Sequence, residues 1–182
     1  MSLSLFYIVA TKWLLKQDAI KSITAFVEAR AIDVEQDAIE SVTSAILVVV
    51  REHTRGFRET NVNIMKSIIQ LFAALCEFHE ALECPFPLWA SDSAASVAMQ
   101  KIADRKLAPN CKSMLSSLCA VSPPHLVMLA MYMSLKSIRA PLAHEETMKW
   151  VQSFCTEFGA ASLGKGVGEL VPWILDVSLP PR

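Results

Sequence analysis

The sequence predicts an all-α fold, an α-solenoid of antiparallel helix pairs, and three observations carry that expectation. The first 158 residues contain a single glycine, Gly56, while the other four stand at 159, 164, 166 and 168; a β-rich fold with tight turns needs more. Apolar residues recur at helical spacing in successive segments, and each segment ends at a polar or proline-containing break. Short breaks between helices make chain neighbours antiparallel, and helix pairs of this kind stack side by side.

The elements follow in order. Ser2 to Ala10 is briefly apolar, lacks a basic n-region and runs into Lys12 and Trp13 instead of a small-residue cleavage site. It is read as a buried helix near 3–10, cut short at its start. In 13–30, Ile20, Ile23, Phe26 and Val27 form one stripe with Lys16, Lys21 and Glu28 opposite. A helix over 36–53 takes in Val48-Val49-Val50, which has strand propensity but helical flanks. In 61–79, Asn61 is the expected N-cap and Met65, Ile68, Ile69, Phe72, Leu75 and Cys76 the buried stripe. Helices over 87–103, 110–121 and 124–138 begin at Pro87, Pro109 and Pro124, where a missing N–H costs nothing. Further helices are expected over 144–158 and 165–177.

At 182 residues and 53% hydrophobic, the chain can bury a core without disulfides or a structural metal. Its five cysteines sit mostly in apolar helical runs, where a thiol acts as a small hydrophobe, and they suit the reducing cytoplasm. No apolar run approaches the ~20 residues of a membrane span, so no membrane partner is expected.

A formal charge of −1 conceals two opposed sets of gaps between the helices. One set holds Lys12, Lys16, Arg55, Arg58, Arg105, Lys106, Lys112 and Arg139; the alternate set holds Asp33, Glu35, Asp37, Glu77, Glu80, Glu83 and Glu157. The basic gaps recur every ~35–50 residues, the period of HEAT-type units. In such an array alternate loops fall on opposite edges, so one edge is basic.

Around the first basic gap the chain reads Lys12-Trp13-Leu14-Leu15-Lys16, and at the second Arg58-Glu59-Thr60-Asn61 leads into a helix. These segments resemble the first two tubulin-contacting loops of TOG domains, in which a Trp with a basic residue three positions on is followed, one repeat later, by a Lys/Arg-Asp/Glu-Thr-Asn segment. Asp104-Arg105-Lys106 through Pro109-Asn110-Cys111-Lys112 is similar to the third loop, and Glu146 to Trp150 with Glu157-Phe158-Gly159 to the second helix of the fourth repeat. The likeness covers nearly the whole chain and is closest to a middle domain of the microtubule-polymerase TOG-array family. It implies one HEAT-repeat domain over 1–182 with about four and a half repeats, against the family's usual six.

The resemblance further implies a non-catalytic module without cofactor or metal. It would bind αβ-tubulin or microtubule ends through Trp13, Lys16, Arg58, Thr60, Asn61, Arg105, Lys106 and Lys112, in the cytoplasm on microtubules, spindle or organising centre, monomeric as an isolated domain. Tubulin is acidic, so a basic edge would steer encounter in a salt-sensitive manner, and an exposed Trp would add an apolar anchor. Two departures stand out. Leu14 and Leu15 would draw Trp13 into the core, and the fourth loop, Arg139-Ala140-Pro141-Leu142-Ala143, has one basic residue. The rival expectation is therefore a degenerate scaffold or array spacer that does not bind tubulin.

Other chemistry is weakly signalled. Nucleic acid would suit a basic ridge, but the pI is about 6.4 and no nucleic-acid motif is present. His144-Glu145-Glu146-Thr147-Met148 starts like a zinc-protease helix without its second histidine, and Gly164-Lys165-Gly166-Val167-Gly168 lacks P-loop spacing. Cys76, His79 and Cys84 lack a fourth metal ligand. Trp89, Trp150 and Trp173 are expected in the core, as are Met128, Met131 and Met133.

Overall fold

A computed structural model describes residues 13–29, 38–159 and 161. The expected helices near 3–10 and 165–177, together with Lys12, Asp33, Glu35, Asp37 and Trp173, lie outside the described residues. Those described form seven helices and no strand: α1 (Trp13–Glu28), α2 (Ile39–His53), α3 (Val62–Ala81), α4 (Leu88–Lys101), α5 (Ala108–Val121), α6 (Pro124–Leu135) and α7 (Pro141–Phe158). Among them, no helix is long and apolar enough to cross a membrane.

Each helix is written by its apolar spacing. Ile39, Thr43, Ile46, Leu47 and Val50 form the buried stripe of α2, which absorbs the valine run as helix. Cys111, Met114, Leu115 and Leu118 do the same in α5, and Ala143, Thr147, Trp150, Val151 and Phe154 in α7. In α4 the buried face is mostly small, with Ala90, Ser91, Ala94, Ala95 and Ala98, and this helix packs against both α5 and α6. Small side chains let helix backbones approach closely without forcing rotamers.

The central element is α3, which packs closely on α1 at one side and α5 at the other. Its burial is wider than the single stripe expected, adding Ile64, Leu71, Ala74 and Phe78, because neighbours cover two sides. Lys66, Gln70, Glu77 and Glu80 remain as a narrow exposed band. Phe72 is fully buried and meets Phe57 edge-on at 5.2 Å; truncating a phenylalanine so placed costs about 3–5 kcal/mol. Two expected core residues are instead at the surface, Phe26 at 36% exposure and Met133 at 58%, because each falls off its helix's packed face. Trp150 is buried, and Trp89 only partly so.

Side-chain and backbone contacts fix which helix ends lie together. Lys16 at the start of α1 reaches the His53 carbonyl at the end of α2. Thr43 near the start of α2 meets His79 near the end of α3. The Phe86 amide, just before α4, donates to the Val121 carbonyl closing α5. At the other end, Lys112 early in α5 pairs with Glu146 early in α7, and Thr147 touches Met99 late in α4. The starts of α1, α3, α5 and α7 therefore share one end with the finishes of α2 and α4. That end carries the connections 54–61, 102–107 and 136–140.

Candidate partner-binding edge

The eight expected contact residues all belong to this end, but they differ in what they are free to do. Trp13 opens α1 with 45% of its surface exposed, and Leu14 is also exposed, so the two leucines do not draw the indole into the core. Lys16 is not a free cation. Its ammonium donates to the His53 carbonyl at 3.0 Å and lies 3.6 Å from the Glu59 carboxylate, which is itself buried. Lys16 thus ties α1 to the end of α2, where carbonyls left over by the helix attract positive charge.

The following loop has an unusual backbone. Arg55, Gly56 and Phe57 have φ of 52°, 69° and 64°, three left-handed residues in succession. Only Gly56 adopts this region without cost. The Gly56 amide donates to the Arg51 carbonyl at 2.9 Å, the Arg58 amide to Thr54 at 3.0 Å, and Phe57 is buried on Phe72. Those contacts hold the turn and leave the Arg58 side chain exposed.

Thr60 is exposed beside it. Asn61 caps α3 as expected, its side-chain oxygen accepting from the Asn63 amide at 2.9 Å and the Ile64 amide at 3.3 Å. In the next loop Arg105 and Lys106 are exposed, and the Asp104 carboxylate accepts the Lys106 amide at 2.8 Å. That bond shapes the turn and leaves the Lys106 ammonium at the surface.

Lys112, like Lys16, is engaged by a carboxylate of the chain itself. It donates to Glu146 at 2.7 Å, and Lys149 bridges Glu146 at 3.0 Å and Glu145 at 2.7 Å. The Lys112 hydrogen bond, joined by that from Lys149, holds the Glu146 carboxyl below its ordinary range. The last loop is shorter than expected, because Pro141 already begins α7; Arg139 is exposed, as is Leu142. Trp13, Arg58, Thr60, Arg105 and Lys106 are thus displayed, whereas Lys16 and Lys112 are held by internal carboxylates and Asn61 by its cap.

Arg51 was not singled out by sequence, since it lies inside a helical run, yet it lines an open groove with Arg58. Gly56 and Phe57 share that wall; Asp92, Ser93, Ser96, Val97 and Gln100 of α4 form the other, around about 210 Å³. The i, i+4, i+8 spacing of Asp92, Ser96 and Gln100 was the available signal for a polar helix face.

Elsewhere His79, His144 and three of the cysteines are engaged in structure. Both ring nitrogens of His79 are hydrogen-bonded, to Thr43 at 2.8 Å and to the Pro85 carbonyl at 3.0 Å. Burial pushes the Cys111 and Cys119 thiols up to about 12 and raises Cys76 as well, which removes thiolate character. The His144 ring nitrogen Nε2 meets the Ile138 carbonyl at 2.8 Å. No family model, curated protein or solved structure matches the chain.

Proposed function

We propose that this chain is a TOG-like domain, an α-solenoid of HEAT-like helix pairs that binds αβ-tubulin non-covalently through one edge and catalyses nothing. The observation that carries the reading is the exposed Trp13 at the same end of the helices as Arg58, Thr60, Arg105 and Lys106. An apolar anchor flanked by cations that have no ion pair among the described residues suits an acidic protein surface: the indole supplies buried area, and the charges supply orientation and rate. The close packing of α1 with α3, α3 with α5, and α4 with α6 supports the repeat arrangement, since alternate helices of stacked pairs become neighbours. On this reading the module works in the cytoplasm at microtubules or their ends.

The scaffold alternative is favoured by a specific observation: Lys16 and Lys112 face internal carboxylates. An edge that has lost two of its cations to structural pairs suits an array spacer. Size-exclusion chromatography with purified tubulin, at low and physiological salt, separates the readings. Co-migration at low salt is expected, weakening as salt rises. The variant combining Trp13→Ala and Lys106→Glu should lose it while keeping its helical circular dichroism. Undiminished co-migration of that variant would refute the edge, and no shift with the unaltered chain would select the scaffold.

A further inference from the structure

We infer that the groove between the end of α2 and the exposed face of α4 is a binding site in its own right, for an extended acidic peptide segment. Its walls are chemically different. Arg51 and Arg58, both exposed, line one side, and neither is in an ion pair among the described residues. The nearest acid in their loop, Glu59, is turned inward to Lys16 and does not compensate them; Glu52 is exposed on α2 but does not line the groove. Guanidinium groups bind carboxylates through paired N–H donors.

The α4 wall supplies what a peptide backbone needs. The Ser93 hydroxyl donates to the Trp89 carbonyl at 2.8 Å, and the Gln100 amide donates to the Ser96 oxygen at 3.2 Å. Among the described residues the Ser96 proton and the Gln100 carbonyl oxygen have no partner, so one can give a hydrogen bond to a ligand and the other accept one. Asp92 adds an acceptor for a peptide N–H. Two guanidinium groups against one carboxylate suit carboxylates spaced along a chain; the dense charge of a nucleic-acid backbone would meet Asp92 unfavourably.

The groove is also pre-shaped. Its loop wall, Gly56 and Phe57, belongs to a left-handed turn fastened by Phe57 in the core and by two backbone hydrogen bonds. A conformation costly for two non-glycine residues, held beside an open groove, is the kind of strain that accompanies binding sites. A wall already in place loses little entropy when a ligand arrives.

The test is fluorescence polarisation with a labelled Glu/Gly/Ala peptide. Saturable binding is expected, weakened at least about tenfold by Arg51→Glu or Arg58→Glu. Ser96→Trp, which fills the groove without changing charge, should weaken binding comparably, whereas Arg55→Glu, outside the groove in the same loop, should cost less than about threefold. Circular dichroism verifies that each variant is folded. The site does not depend on tubulin recognition, so the variant combining Trp13→Ala and Lys106→Glu should bind the peptide normally. Absent saturation, equal losses at Arg55 and Arg51, indifference to Ser96→Trp, loss in the Trp13 and Lys106 variant, or tighter binding of a phosphoserine peptide or an oligonucleotide would each overturn the assignment.

Discussion

His79 shows how one buried polar residue can couple three segments. Its side chain is fully buried at the end of α3, with Phe86 edge-on at 5.0 Å, and it joins Thr43 of α2 to Pro85 before α4. A carbonyl can only accept, so Nδ1 carries the proton toward Pro85 and Nε2 accepts from the Thr43 hydroxyl. Burial lowers the imidazole below its ordinary value of 6.5, outweighing the hydrogen bonds to Pro85 and Cys84 and the attraction of Glu40. The unfolded chain therefore binds this proton more readily than the folded one. Stability from His79 is present above pH 6.5, declines as pH falls below it, and stops declining below the folded-state value. The unfolding free energy from urea titrations between pH 7.5 and about 5.5 should fall, by no more than about 1.4 kcal/mol per pH unit from this group. His79→Gln should be less stable at neutral pH but flatter in this window; an unchanged slope would assign the proton elsewhere.

Among the elements, α3 depends most on its first turn. It enters directly from the left-handed turn, and Asn61 satisfies two of the amides that the helix itself leaves without partners. Asn61→Ala should destabilise the fold by about 1 kcal/mol, and Asn61→Asp much less because a carboxylate caps as well. Equal losses in thermal unfolding would show that the side chain acts through something other than the cap. This cap was legible in sequence, as were the seven described helices, because capping chemistry and apolar spacing are local. The succession of positive φ at Arg55 and Phe57 was not, since only Gly56 advertises that conformation. The burial of Phe57 against Phe72, a tertiary contact, stabilises it. The exposure of Phe26 and Met133 was equally hidden, because a residue near the border of an apolar stripe is buried only if a neighbouring helix reaches it.

At the scale of the whole molecule, a charge of −1 matters less than where the charges are compensated. Sequence located the basic residues in alternate gaps but not their partners. Lys16 meets Glu59 across 43 positions and Lys112 meets Glu146 across 34, separations that no local pattern reveals. Compensation can be changed without touching the proposed contact residues. Glu146→Gln would leave Lys112 positively charged beside an amide and add one unit of positive charge at the Trp13 end. Lys112 is about a third exposed and Glu146 a fifth, so the pair is screened by solvent and its removal should leave the stability of the fold little changed. If this end meets an acidic tubulin surface, the variant should bind more tightly at low salt, by about two- to fivefold, with the gain shrinking as the screening length shortens. Charge added at the opposite end by Glu83→Gln should have little influence, because it lies a helix length away. Measuring both variants across salt separates local steering from a general change in net charge. Equal enhancement by the two would remove the Trp13 end from its proposed role, and weakening by Glu146→Gln would mean that the pair acts by shaping the edge.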